Sequence, residues 1–197
     1  MSESAVTLLA VIVGAVLATV GGFAATRLDE LVRRRERERA AARLFGEILS
    51  VLALLTRIAD EARGRGEPFG PLTLRLLRAV RREAEVYDRN RESLYDLRDV
   101  RLRARIHTVL VRVTLGLEGV FDSTADLASA EVFAAGLAAD DPIATEAVAR
   151  VAALIDSRHA AFEWILQSVG LTGPIITALQ PLARQTFDAH ASVVESV

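Results

Sequence analysis

Residues 5–25 read AVTLLAVIVGAVLATVGGFAA, twenty-one positions without a charged side chain. As an α-helix rising about 1.5 Å per residue, the run matches the roughly 30 Å hydrocarbon core of a bilayer. No other feature limits the chain so strongly. A cleaved signal peptide is the competing reading, with Gly22 and Ala24 as small residues before a cut. Met1-Ser2-Glu3-Ser4 brings no positive charge ahead of the run, however, and the run is longer than the about 7 to 15 apolar residues of a signal peptide. The sequence therefore predicts a retained span over residues 1–26.

The flanking charges set its direction. Glu3 is the only charged side chain before the run, whereas Arg27, Arg33, Arg34, Arg35, Arg37 and Arg39 follow it. Basic residues stay on the cytoplasmic side, so the expectation is a single-pass protein of the bacterial inner membrane, with its amino terminus outside and its carboxyl-terminal domain in the cytoplasm. Arg27, Arg33, Arg34 and Arg35 are the candidates for contact with anionic lipid, worth about 1 kcal/mol each at the surface. Within the span, Ala10, Gly14, Ala18 and Gly22 recur every fourth residue. A stripe of small side chains lets a second backbone approach closely, from a transmembrane partner or from another copy of the chain.

Beyond the span the helical pattern continues. Residues 27–43 form a charged stalk whose Glu30–Arg34, Arg34–Glu38 and Glu36–Arg39 spacings suit ion pairs along one helix. From residue 44 the apolar positions Leu44, Ile48, Val51, Leu52, Leu55, Ile58 and Ala59 predict entry into a core. Gly64, Gly66, Pro68, Gly70 and Pro71 interrupt the helix, and a second one is expected over 72–89. A third starts at Asp99 as cap, with Leu102, Ile106, Val109, Val113, Leu117 and Val120 at spacings of three and four. Residues 122–139 read equally as its continuation, a short helix or a capped loop. Asp141-Pro142 opens another helix, with Val148, Val151, Leu154, Ile155, Phe162, Ile165 and Val169 as its apolar side and Gly170 as its end. The tail restarts at Pro174, with a kink or reset expected at Pro181. Trp164 to Ala183 lacks charge, but two prolines and several polar residues favour a buried helical hairpin over a second span. With aromatic residues at only 5%, a sheet-rich fold is disfavoured. The predicted fold is all-α: a transmembrane helix continuing into a cytoplasmic antiparallel bundle of four or five helices over residues 44–197.

All 24 basic residues are arginine, and 21 of them precede Val113. The chain is thus basic near the membrane and acidic later. On the third helix Arg98, Arg101, Arg105 and Arg112 share one sector, a candidate stripe for a partner. Nucleic acid is not the expected partner, given the net charge of −2 and the few aromatic residues for stacking.

Residues 86–113, VYDRNRESLYDLRDVRLRARIHTVLVRV, place Tyr87, Asn90, Leu94 and Leu97 before an amphipathic return helix. The segment resembles a pattern in bacterial single-span inner-membrane proteins that carry a cytoplasmic helical domain. That resemblance implies a setting and no activity. Without cysteine, thiol catalysis and zinc-thiolate sites are excluded, and no phosphate-binding loop, HExxH or GxSxG motif occurs. Asp156 and His159 are spaced as half of a helical carboxylate–histidine metal site, which needs a second such pair and further glutamates. No cofactor is expected, and no enzyme. The function read from the sequence is an interaction or scaffold subunit, accessory to a larger inner-membrane complex. Its rivals are a self-assembling membrane organiser and, from another class, a tethered enzyme or metal protein built on Asp156 and His159. Gly14→Ile combined with Ala18→Ile is expected to release the protein from its membrane partner while the domain stays folded, measured by co-purification together with circular dichroism.

Overall fold

In a computed structural model describing residues 3–138 and 141–187, and within the first helix the surroundings of residues 14, 17 and 19 onward, the chain is helical throughout. The elements are α1 (Glu3–Arg65), α2 (Pro71–Asn90), a 3₁₀ turn (Arg91–Asp96), α3 (Val100–Ala135), α4 (Ala144–Gly170) and α5 (Thr172–Ala183). Stalk and core are indeed one helix, 63 residues long. Among the described residues no helix is long and apolar enough to cross a membrane. Most side chains of the run 5–25, Ala10 and Ala18 included, lie outside the described residues, whereas Gly14 and Gly22 have open space around them.

The core forms on one face of α1. Ala41, Ala42, Phe45, Ile48, Leu49, Leu52 and Ala59 are buried, while Leu44 and Leu55 lie half-buried at its edge. The buried stripe thus centres on Phe45 and Leu49, two positions outside the stripe read from the sequence, and begins a turn before residue 44. The reason is that α1 is covered from two sides. On one side lies α2, with Leu77, Val80, Ala84 and Tyr87 buried. On the other lies α5, with Ile175, Leu179 and Ala183 buried. Phe45 meets the Tyr87 ring edge-on at 6.1 Å. The Tyr87 hydroxyl lies within hydrogen-bond distance of His107 Nδ1 on α3, at 2.6 Å, and burial raises its pKa above the ordinary tyrosine value.

Several contacts fix the directions of the helices. Along α3 and α4, Arg112 meets Ser168, Gly116 meets Ile165, and Ser123 meets Ser157, so these two run antiparallel. Their approach is close because α3 offers glycine there. A Cβ on Gly116 would stand 2.5 Å from Ile165, and one on Gly119 3.1 Å from Ala161. Asp99 caps α3 as expected, accepting from the amides of Arg101 at 2.8 Å and Leu102 at 3.2 Å. The 122–139 segment resolves as the continuation of α3 to Ala135. Asp141 accepts from the Ile143 amide at 2.9 Å, and α4 starts at Ala144.

Pro181 does not reset the tail, because the helix runs through it. It sits inside α5 two residues before the end, which Arg184 makes in the left-handed region at φ 55°. The uncharged stretch from Trp164 to Ala183 is the end of α4 and the whole of α5, with Ile165, Ile175, Leu179 and Ala183 in the core while Trp164 and Leu171 are exposed.

The apolar side expected for α4 is only half realised. Phe162 and Ile165 are buried, but Val148 is 63% exposed. Arg63, ending α1, pairs with Glu163 at 2.8 Å, and Phe69 in the α1–α2 connection packs on His159 at 5.0 Å and Phe162 at 5.9 Å. Past that level, burial along the two helices thins to Ser123, Leu127 and Ala130 on α3 and Ala147 on α4. The last three turns of α3 and the first three of α4 form an arm beyond the core, about 18 Å long at 1.5 Å per residue.

The tail closes over α1 through Phe187, whose ring lies on Gly46 where a Cβ would collide with it. An exposed helical glycine changed to alanine gains about 0.5–1 kcal/mol, whereas overpacking costs about 1–3 kcal/mol. Gly46→Ala should therefore destabilise the domain in the native background and stabilise it when combined with Phe187→Ala, a change of sign measurable in urea denaturation.

Candidate functional site

Two surfaces stand out, at opposite ends of the bundle. The first is a cleft where the stalk meets the α2–α3 connection. Glu30, Leu31, Arg34 and Arg37 recur at helical spacing on one face of α1, and Tyr95, Asp96, Leu97, Arg98 and Arg103 form the opposite wall, enclosing about 650 Å³.

The connection is built locally. The Asn90 side chain donates to the Val86 carbonyl at 2.8 Å as α2 ends. Buried Leu94 and Leu97 then turn the chain inward, and the Leu97 amide donates to the Leu94 carbonyl at 3.2 Å. The exposed Tyr95 between them faces outward.

Glu38 holds this connection to the stalk. One of its carboxylate oxygens accepts from the Arg98 amide at 3.2 Å, and the other lies 3.3 Å from Arg98 Nε. Its side chain is only 14% exposed, which strengthens the grip relative to a surface pair. None of the three ion pairs expected along the stalk closes. Glu38 is taken by a residue 60 positions away, Glu30 pairs with Arg27 at 3.5 Å, and Asp29 pairs with Arg33 at 2.9 Å. Among the described residues Arg34 and Arg37 have no carboxylate in salt-bridge range, and both line the cleft. Across from them the Arg103 guanidinium donates to the Tyr95 carbonyl at 3.5 Å and lies 5.7 Å from the centre of the Tyr95 ring.

The sequence-predicted arginines are thereby divided. Arg27 and Arg33 are held in local pairs on the stalk, Arg34 lines the cleft, and Arg35 is exposed. The four arginines of the candidate stripe on α3 have different surroundings. Arg98 belongs to the cleft wall, and Arg101 and Arg105 are exposed. Arg112 is turned onto α4, its guanidinium 4.3 Å from the Trp164 ring centre and its Nε donating to Ser168 Oγ at 3.2 Å.

The second surface is the end of the α3–α4 arm. Asp126, Ser129, Ala130, Phe133, Ile143, Glu146, Ala147 and Arg150 surround a depression of about 430 Å³. Around it Val132 is 76%, Phe133 56% and Ile143 45% exposed. Apolar side chains grouped this way at an acidic helical tip suit contact with another protein.

The metal half-site is differently employed. His159 stacks edge-on against Phe69, Asp156 is exposed, and among the described residues no three His, Asp or Glu side chains gather to hold a metal ion. The neighbouring Arg158 lies over the same Phe69 ring at 4.3 Å. Burial lowers its pKa from the ordinary arginine value, while Glu131 and Glu67 act in the opposite direction. Comparison with known protein families, curated proteins and solved structures finds no match.

Sequence reasoning missed the cleft because its two walls are 60 residues apart. The available signal was the Leu94–Leu97 pair, which announces that the connection folds inward. Glu38→Gln should weaken the grip on Arg98 and lower stability by about 1 kcal/mol, since hydrogen bonds to charged groups are worth about 1.5–3 kcal/mol before solvent exposure of the arginine is considered. The shift of the urea midpoint at constant slope measures it.

Proposed function

We propose that the chain is a membrane-anchored interaction subunit, a helical scaffold accessory to a larger assembly of the bacterial inner membrane. In this reading residues 1–26 span the bilayer once with the amino terminus outside, residues 27–43 are the stalk, and the bundle from residue 44 lies in the cytoplasm. The stripe Ala10, Gly14, Ala18 and Gly22 meets a transmembrane partner or another copy, and the stalk arginines lie near anionic lipid. The bundle serves by binding and performs no chemical step.

The observation that carries this reading is the arm, which displays Val132, Phe133, Ile143 and Val148 at the end of α3 and α4 remote from the stalk. Phe133 and Ile143 line one depression, Val132 and Val148 are exposed on the same arm, and a bound protein removes such side chains from water at about 25 cal/mol per Å². The uninterrupted α1 adds support, since it joins the apolar run to the core without a hinge. The rival in which copies assemble with one another draws on the charge split, the basic stalk of one facing the acidic arm of the next.

Phe133→Asp with Ile143→Asp tests the proposal. Both positions are exposed, so the domain should keep its helicity and melting temperature. Native mass spectrometry of the untagged protein, extracted in mild detergent, should show a foreign chain at fixed stoichiometry with the wild type and its loss with the variant. A foreign chain retained by the variant removes the arm from the proposal. Multiples of 21.3 kDa alone favour self-assembly instead.

A further inference from the structure

We propose that the cleft between the stalk and the α2–α3 connection is a binding site for a phosphorylated anion. Four guanidinium groups line it, those of Arg34, Arg37, Arg98 and Arg103, against two carboxylates, Glu30 and Asp96. Their states differ. Arg98 is neutralised by Glu38, and Glu30 is engaged by Arg27 at 3.5 Å. What remains on the stalk wall is the pair Arg34 and Arg37, one turn apart, without a carboxylate in range among the described residues.

The opposite wall is prepared for the same ligand. Arg103 is kept in place by the Tyr95 carbonyl and ring, so its planar fork loses little freedom on binding. Three cations facing a common volume of about 650 Å³ repel one another until an anion enters. Phosphate fits best, because its oxygens accept from several guanidinium forks at once and its charge can exceed that of a carboxylate.

Two sources supply that chemistry: a phosphorylated lipid headgroup or a soluble phosphate compound. The headgroup source rests on the anchored reading above. Arg34 lies nine residues, about 14 Å of helix, beyond Ala25, outside a headgroup layer about 5–8 Å deep, and its long side chain reaches back toward that layer. The soluble source does not depend on the anchor.

The test uses the full chain in phosphatidylcholine nanodiscs, with amide hydrogen exchange followed over residues 30–37 and 94–103. Two probes are compared: inorganic triphosphate in solution, and replacement of one lipid in ten by phosphatidic acid. Slower exchange in both segments with triphosphate alone establishes the soluble source, and with phosphatidic acid alone the headgroup. Arg34→Gln with Arg37→Gln should weaken the effective probe about 10-fold or more, whereas Arg75→Gln with Arg78→Gln, which removes equal charge from exposed positions on α2, should change it little. No protection with either probe, or equal loss with both double variants, overturns the site. A response to triphosphate from a chain that does not insert would overturn the anchored reading and leave the cleft intact.

Discussion

The apolar face of α1 between Ala41 and Ala59 is the constraint on which the other elements depend. Phe45, Leu49 and Leu52 are each fully buried there, and a side chain of that size contributes about 1.5–3 kcal/mol when removed from water. α2 covers this face from one side and α5 from the other, and Arg63 at its far end ties on α4. Because α1 continues unbroken into the stalk, the orientation of the stalk is also the orientation of the bundle.

Arginine does structural work beyond its charge. Guanidinium groups lie over aromatic rings at Phe23, Phe69, Tyr95, Phe121, Phe162 and Trp164. Six such contacts in 197 residues exceed the roughly one per 70–80 residues found in structures generally. Aromatic residues are scarce in this chain, yet most of them carry an arginine. The contacts at Phe162 and Trp164 bridge helices, Arg63 from α1 and Arg112 from α3, and a lysine ammonium would supply the charge without the flat surface. A lysine-free composition, which genome composition alone can produce, is therefore exploited by the packing.

The parts of the fold legible in the sequence are those decided by neighbours within a turn or two. Asp99 as cap, the buried face of α3 from Leu102 to Val120, and the end of α4 at Gly170 all follow from local spacing. The phase of the α1 stripe was not legible, because two coverings on opposite sides bury Phe45 and Leu49 as well as the residues of the simplest period. The cleft was hidden for a related reason. Glu38 stands at ideal spacing from Arg34, and nothing near it in sequence shows that Arg98, with both a backbone amide and a side chain to offer, binds it instead. Val148, Val151 and Leu154 have the period of a core face, yet Val148 is exposed and the other two are only half-buried, since periodicity reports that a face is apolar and not how fully it is covered.

That partly covered face raises the question of how the arm stays ordered. An isolated two-helix hairpin of a few turns would be marginal in water, since nucleation of each helix is unfavourable. Here both helices are anchored in the core, α3 at Leu102 to Val120 and α4 at Phe162 to Ser168, and the arm extends from those anchored parts. Each added residue gains a hydrogen bond without a new nucleus, helped by the alanines of residues 125–135 and 144–153. Phe133 and Ile143 are consequently displayed on helices that are already formed. A protein docking on them meets a surface whose backbone entropy was lost during folding, so little of the binding free energy is consumed in ordering it.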